Sequence, residues 1–137
     1  MNRKWFSIAV LFATGTLLLS FSGCGHNQHL VSLAVQPSSV TFLSPGTNIT
    51  FQLKAYGSYI HPVETKDITN QVTWQSGSTD LVIVTPAGVV STANTGHCGI
   101  TDVTANVFTD SGNMNGNVVT GSATMTVVDT TNQVCPQ

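Results

Sequence analysis

Short runs in which apolar and polar residues alternate constrain the fold of this chain more than any other feature. The clearest run places Ile49, Phe51 and Leu53 on one side and Thr50 and Gln52 on the other. Such alternation is typical of a strand with one buried face, and beyond its N-terminal apolar segment the chain has no apolar stripe at helical spacing. The sequence therefore predicts an all-β domain.

Further strands follow at short intervals, separated by turn residues such as Pro45-Gly46 and Pro86-Ala87-Gly88. We expect Trp74 to lie at the centre of the core, because it is a large apolar side chain on the inward side of its run. About seven strands separated by turns predict a two-layered antiparallel sandwich. The other predicted strands are residues 30–36, with Val31, Leu33 and Val35 inward and a continuation at 40–43 after Pro37, then 72–75, 81–85, 89–92, 100–108 and 121–128, and the long loops are 57–70 and 109–120.

The N-terminal segment has the features of an export signal. Arg3 and Lys4 form a short basic region, and residues 5–19 form an apolar stretch of the length found in signal peptides. The run Phe21-Ser22-Gly23-Cys24 resembles the lipobox of bacterial lipoproteins, although Phe21 stands where that motif usually has Leu or another aliphatic residue. The resemblance implies cleavage before Cys24 and its acylation, which anchors a protein stably. An ordinary secretory signal and an uncleaved transmembrane anchor are the alternatives.

The predicted cleavage divides the chain into a signal peptide at residues 1–23, a lipid-anchored tether at 24–29, a domain at 30–129 and a C-terminal tail at 130–137. Because 137 minus 23 leaves 114 residues, the mature protein has room for one domain with a modest core. The residue after Cys24 is Gly and not Asp. By the same resemblance, we expect an outer-membrane destination if the cell has an outer membrane.

The charge balance of the mature chain limits its partners. Two lysines and no arginine stand against six acidic residues, so the net charge is two minus six, or −4. We do not expect nucleic acid as a partner, because phosphate binding needs a cluster of Lys and Arg. The same scarcity predicts that membrane attachment depends on the lipid and not on anionic head groups.

Three cysteines are present, and if Cys24 carries lipid, Cys98 and Cys135 remain as an even pair in an oxidising compartment. We expect these two to be bonded to each other, which ties the C-terminal tail back to the domain. A loop of about 40 residues closed in this way corresponds to roughly 4 kcal/mol of restriction on the unfolded chain. The alternative is a reactive or metal-binding thiol beside His97, but the neighbouring sequence supplies too few further ligands.

The order of these signals resembles a bacterial immunoglobulin-like domain of group 2, over residues 31–128. Within that order, Lys66-Asp67-Ile68-Thr69 leads into Val72-Thr73-Trp74-Gln75-Ser76. The sequence departs from the family at His97-Cys98-Gly99 and in the polar segment 109–119. The resemblance implies an immunoglobulin-like sandwich of the kind found in extracytoplasmic and cell-surface proteins, without catalytic residues. The other residues that carry it are Val35-Gln36-Pro37, Pro45-Gly46, Phe51-Gln52-Leu53-Lys54-Ala55, residues 82–84, Gly88-Val89-Val90-Ser91-Thr92 and residues 100–105.

In such a sandwich, odd strands run away from the N-terminus and even strands return. The loops 57–70 and 109–120 should then lie at the end where the chain enters, and Cys98 and Cys135 at the opposite end. A tether of about five residues reaches at most roughly 18 Å, so we expect the domain to lie close to its membrane.

The sequence contains no recognisable catalytic or cofactor motif, and we expect neither a catalytic residue nor a cofactor. His26 and His29 have a spacing that could bind a metal weakly, but no further ligand follows, so we expect them to be solvated. Tyr56, Tyr59 and His61 form an aromatic cluster near a loop that could stack on a sugar ring. The alternative is that Tyr56 covers an edge of the sandwich and Tyr59 packs under its loop.

Two functional interpretations follow. In the first, the protein is a lipid-anchored, non-enzymatic module of the cell envelope that acts by protein contact, in adhesion or assembly. In the second, it binds envelope or extracellular polysaccharide through its polar loops and residues 56–61. A stalk role is disfavoured, because one sandwich on a short tether cannot project a partner far from the membrane.

Overall fold

Ten strands and no helix form the part of the chain that the computed structural model describes, which comprises residues 28–44, 49–93, 95–109 and 116–129. The all-β prediction is confirmed. The strands are β1 (His29–Gln36), β2 (Ser39–Ser44), β3 (Thr50–Gln52), β4 (Lys54–Ile60), β5 (Glu64–Asp67), β6 (Thr73–Ser76), β7 (Val82–Val84), β8 (Val89–Thr92), β9 (Gly99–Thr109) and β10 (Asn117–Asp129).

The strands form two layers in a sandwich-like arrangement. One layer combines the sheets β1-β4-β5 and β3-β8-β7, which are joined because β3 and β4 are one run of chain interrupted only at Leu53. The other layer is the sheet β2-β10-β9-β6. All pairs are antiparallel except β2 with β10, which is parallel.

Pro37 explains why the first predicted strand is divided. Proline has no N–H for a ladder hydrogen bond, so a strand that reaches it loses its pairing there. Before Pro37, β1 pairs with β4, and after it β2 pairs with β10 in the other layer. The predicted interruption is therefore confirmed, and it is the point at which the chain changes layers.

The core lies between the layers and is built by alternation along the long strands. In β9, Val103 and Ala105 are fully buried, and in β10 the inward residues Ala123, Met125 and Val127 are buried, as the sequence predicts. Gly121 continues this inward row and allows the two layers to approach closely, since a Cβ there would lie 2.7 Å from the carbonyl oxygen of Leu33. The core residues contributed by the other strands are Leu33, Val35, Val40, Phe42, Leu53, Ala55, Ile68, Val72, Val82 and Val90.

Four predicted inward positions are exposed or only half-buried. Ile49 and Phe51 are 45% and 38% exposed, although Leu53 in the same run is fully buried. Val31 is 53% exposed, because the pairing of β1 with β4 is irregular between Leu30 and Ser32 and Leu30 packs against the core instead. Trp74 is only half-buried and lies at the margin of the core. Its indole N–H donates to the carbonyl oxygen of Thr69 at 3.0 Å, which holds the ring near a loop.

Neither predicted long loop is a loop throughout. Residues 57–60 continue β4, and residues 64–67 form β5. The segment 57–70 therefore contains a hairpin, whose first strand β4 begins at Lys54 within the predicted strand that starts at Ile49. Likewise β10 begins at Asn117, and residues 117–120 pair with β9. The count rises from about seven strands to ten because β5 is added and two predicted strands are each divided.

The register of the strands defines the two ends of the sandwich. Along β10, Gly121 lies beside Leu33, Met125 is opposite Val40 and Asp129 is opposite Ser44, so β10 runs in the same direction as β1 and β2. The start of β10 therefore lies at the same end as the start of β1. We call this end the entry pole. The β4–β5 hairpin also turns there, because Ile60 is opposite His29.

Candidate functional site

An open polar groove of about 460 Å³ lies on the outer surface of the β3–β4 run. Leu53 and Ala55 point inward and are buried. Because side chains alternate along a strand, their neighbours Gln52 and Lys54 point outward into the groove. The rest of the lining comes from the end of β5, the loop that follows it and the β7–β8 turn. The full lining is Gln52, Lys54, Asp67, Thr69, Asn70, Gln71 and Ala87.

One wall of the groove is a turn closed by Asp67 and Thr69. The Asp67 carboxylate accepts hydrogen bonds from the backbone N–H of Thr69 at 3.1 Å and from its hydroxyl at 2.6 Å. The same hydroxyl oxygen accepts the backbone N–H of Ala55 at 3.0 Å. Thr69 is buried, so these bonds satisfy polar groups that would otherwise be costly to bury. This wall is therefore a fixed part of the fold.

The opposite wall is the turn between β7 and β8. The Gln52 side-chain amide donates to the carbonyl oxygen of Ala87 at 2.8 Å, and the N–H of Leu53 donates to the carbonyl oxygen of Gly88 at 2.8 Å. Gly88 has φ of 78°, and a Cβ there would lie 2.8 Å from the Leu53 carbonyl oxygen. Glycine is needed at this position on both counts, and it brings the turn against the strand.

The groove carries one positive and one negative side chain. Lys54 Nζ lies 3.8 Å from Asp67 Oδ2, and both side chains are about half exposed, at 53% and 46%. The hydrogen bonds from Thr69 hold the pKa of Asp67 below its ordinary value, with a smaller contribution from Lys54. With three side-chain amides nearby, the groove offers donors and acceptors to a neutral polar ligand.

The three residues predicted to bind a ligand lie on different surfaces. Tyr56 points outward from β4 and is opposite Asp67, so it flanks the polar groove. Tyr59 lies on the inward face and packs against the core. His61 is exposed at the turn of the β4–β5 hairpin, with φ of 61°. Tyr56 is thus the member of the trio that adjoins the groove, and a shared platform of all three is not formed.

Tyr59 belongs to a second polar cluster at the entry pole. Lys66 Nζ lies 5.3 Å from the centroid of the Tyr59 ring and donates to the side-chain oxygen of Gln28 at 2.7 Å. The Gln28 amide in turn donates to Glu64 at 3.1 Å, and Glu64 lies 3.2 Å from Lys66. The hydrogen bond from Gln28, followed by that from Lys66, lowers the pKa of Glu64.

A third polar surface covers the outer face of the β2-β10-β9-β6 sheet. The Thr124 hydroxyl donates to Asp102 at 2.8 Å, and the Thr120 hydroxyl donates to Asn106 at 2.7 Å, in both cases across β9 and β10. Thr104 lies between these pairs, opposite Ser122. Asp102 faces outward, as predicted. We call this surface, defined by the six residues 102, 104, 106, 120, 122 and 124, the hydroxyl face.

The predicted cysteine and metal positions are only partly covered by the structure. Cys98 is half-buried and disulfide-bonded, but Cys135 lies outside the described residues, so the pairing remains a prediction. Gly99 is opposite Val127, which places the region around Cys98 near the end of β10. Cys24 and His26 also lie outside the described residues, whereas His29 is exposed at the start of β1.

Within residues 28–44, 49–93, 95–109 and 116–129, no group of three or more His, Cys, Asp and Glu side chains is placed to hold a metal ion. The same part of the chain has no helix that is long and apolar enough to cross a membrane.

The sequence interpretation missed the polar groove and most of the hydroxyl face. The groove has no local signal, because its residues come from three separate segments that meet only in the fold. The hydroxyl face does have one, since Asp102, Thr104 and Asn106 alternate with buried residues along β9. Comparison of the sequence with protein-family models and with curated proteins finds no match.

Proposed function

We propose that this protein is a lipid-anchored, non-enzymatic immunoglobulin-like module that acts by protein contact at the bacterial cell envelope. The support comes from three features. These are the lipobox-like segment that ends at Cys24, the order of the strands in the two layers, and the hydroxyl face.

The strand order supports the immunoglobulin-like assignment. In one layer β4 lies between β1 and β5, and its continuation β3 is followed by β8 and β7. The other layer has the order β2, β10, β9, β6. Immunoglobulin-like sandwiches place strands A, B, E and D in one layer and strands C, F and G in the other. Here β1, the β3–β4 run, β8 and β7 take the places of A, B, E and D, and β6, β9 and β10 take those of C, F and G. The parallel pairing of β2 with β10 fits a first strand that is shared between the layers.

The hydroxyl face is the observation that favours protein contact. It lies on the four-stranded sheet, and Asp102 is the one charged residue of the six that define it. Threonine has few rotamers to lose, so burying it against a partner costs little side-chain entropy. The hydrogen bonds of Thr120 and Thr124 orient both hydroxyls before a partner arrives. Such a surface suits a flat protein partner.

Site-specific photo-crosslinking in intact cells tests the contact. A photoreactive amino acid replaces Ser122 on the hydroxyl face, and the matched control carries it at Gln52 in the polar groove. We expect a discrete protein adduct from position 122 that disappears when Thr104 is also changed to Lys. No adduct from 122 in cells that produce the protein normally would contradict a contact through this face.

Anchoring is tested separately on Cys24. We expect mass spectrometry of the purified mature protein to find an acylated N-terminal cysteine, and Cys24→Ser to release the domain from membranes. Protease treatment of intact cells then shows which compartment holds the partner. Cleavage without breaking the envelope would place the contact at the cell surface, and protection would place it in the periplasm.

Polysaccharide binding is the second candidate, and the groove beside Tyr56 favours it. Sugar rings bind to polar side chains that supply hydrogen bonds next to an aromatic ring. A glycan array tests it with the soluble domain. Binding that is lost in Tyr56→Ala and Gln52→Ala, but kept in Ile100→Ser on the exposed surface of β9 in the other layer, would support this function over the first.

A further inference from the structure

Exposed apolar side chains from both layers lie at the entry pole. Val63 in the β4–β5 hairpin is 89% exposed, and Phe108 and Val118 on β9 and β10 are 73% and 48% exposed. Phe108 is opposite Val118, one residue before the last described pair of these strands. Hydrophobic side chains at the ends of two hairpins in different layers can rest together on one apolar surface.

The predicted anchor is attached at this same end. Gln28, the first described residue, is held by Lys66 and Glu64 at 2.7 and 3.1 Å. Only three residues separate it from Cys24, so the four chain steps between them span at most about 14 Å. This distance is shorter than the sequence alone indicates, because Gln28 and His29 are part of the fold and not of a free tether.

Charge at the entry pole does not oppose contact with lipid. Glu64 and Lys66 lie 3.2 Å apart and neutralise each other, and Tyr59, His29 and His61 are the other titratable groups that the described residues place there. Among the described residues, the pole has no unpaired lysine that would draw it to anionic head groups. A contact here would depend on apolar side chains and would be insensitive to salt.

Exposed apolar side chains are not confined to this end. Ile100 at the start of β9 is 71% exposed, about as much as Phe108 at its end. The eight residue steps from Ile100 to Phe108 correspond to roughly 26 Å of strand. The position of the tether is therefore what distinguishes the two ends with respect to a membrane.

We propose that the entry pole lies against the bilayer, with Phe108, Val118 and Val63 in the membrane interface on both sides of the tether. The proposal depends on the lipid anchor of the proposed function. It adds an orientation, in which β9 and β10 extend away from the bilayer. The Asp102 and Thr124 end of the hydroxyl face is then the end farther from the lipid. Apolar side chains at such a boundary bury their surface among head groups and acyl chains.

Tryptophan probes in the full lipidated protein test this orientation. The predicted mature chain contains only Trp74, which gives a constant background. Phe108→Trp and Val63→Trp add a probe at the entry pole, and Ile100→Trp adds the matched control on the same strand as Phe108. The proteins are placed in vesicles of phosphatidylethanolamine and phosphatidylglycerol with brominated acyl chains, which quench nearby indoles.

We expect the added fluorescence at 108 and 63 to be quenched clearly more than that at 100, and equally so at low and high salt. Equal quenching at all three positions would overturn the orientation. Probes at 108 and 63 that are shielded from both brominated lipid and acrylamide would show a protein or a second copy covering the pole, which also overturns it. Intact mass is measured first to show whether the lipid is present. A protein without lipid would contradict the anchor, whereas equal quenching in a lipidated protein would contradict the orientation alone.

Discussion

The middle of the sandwich and its entry pole are held together in different ways, although the continuous β3–β4 run contributes to both. At Leu53 this run is fully buried among apolar side chains of both layers. At Tyr59 it is half-buried, and Lys66 Nζ lies 5.3 Å from the centroid of the ring. Burial of apolar surface stabilises the middle strongly, whereas exposed polar contacts stabilise the pole weakly. The pole can therefore change for function without loss of the fold.

The sharpest test compares two phenylalanines. Phe42 is 2% exposed and packs edge-on against Phe51, with the ring centroids 5.3 Å apart, whereas Phe108 is 73% exposed. Phe42→Ala should lower the free energy of unfolding by about 3–5 kcal/mol, because it leaves a cavity in the core. Phe108→Ala should change it by no more than about 0.5 kcal/mol. Urea denaturation measures both, and similar losses would remove the contrast between the two regions.

A smaller effect is expected at the polar wall of the groove. Thr69→Val keeps the shape of the side chain but leaves the buried N–H of Ala55 without its partner, so we expect a loss of roughly 1–3 kcal/mol. Thr104→Val on the hydroxyl face is the control, because its bond to the Gln75 carbonyl oxygen is long, at 3.4 Å. The control should lose less than about 0.5 kcal/mol. Equal thermal unfolding of the two variants would show that Thr69 is not structural.

How much the sequence predicts differs between these regions for a physical reason. Inward and outward residues of β9 and β10 follow from alternation, because one face of each strand is buried along its length. The strand β5 is missed because Glu64, Thr65, Lys66 and Asp67 bury no core face. It is a strand only because β4 continues past the core and pairs with it. Position 31 is missed because the irregular pairing with β4 is a property of two strands and not of one.

The site is less predictable than the fold. Lys66-Asp67-Ile68-Thr69 carried a family resemblance, but its physical role appears only in three dimensions, where Thr69 bonds to Ala55 and accepts the indole N–H of Trp74. Gln52 and Ala87 lie 35 residues apart and meet across the groove. No periodicity along the sequence reports such a meeting.

The pH dependence of stability tests the Asp67 turn. The pKa of Asp67 is lowered in the folded protein, first by Thr69, so the carboxylate stabilises the fold fully above its unfolded pKa of about 4. This contribution is lost as the pH falls through the lower folded value. Asp67→Asn should therefore be less stable than the natural protein at pH 6, and the difference should shrink toward pH 2. A difference that stays constant, or that persists unchanged in a Thr69→Ala background, would contradict this account.

The smallest effect is expected at the entry pole. Lys66→Met removes the ion pair with Glu64, the hydrogen bond to Gln28 and the charge above Tyr59, and we expect a smaller loss of stability than for Thr69→Val because these groups are exposed. Lys54→Met is the matched control, since Lys54 is the other lysine of the predicted mature chain and its ion pair with Asp67 is longer, at 3.8 Å. If Lys66→Met instead cost as much as Phe42→Ala, the pole would belong to the cooperative core. It could not then vary for membrane contact independently of the fold.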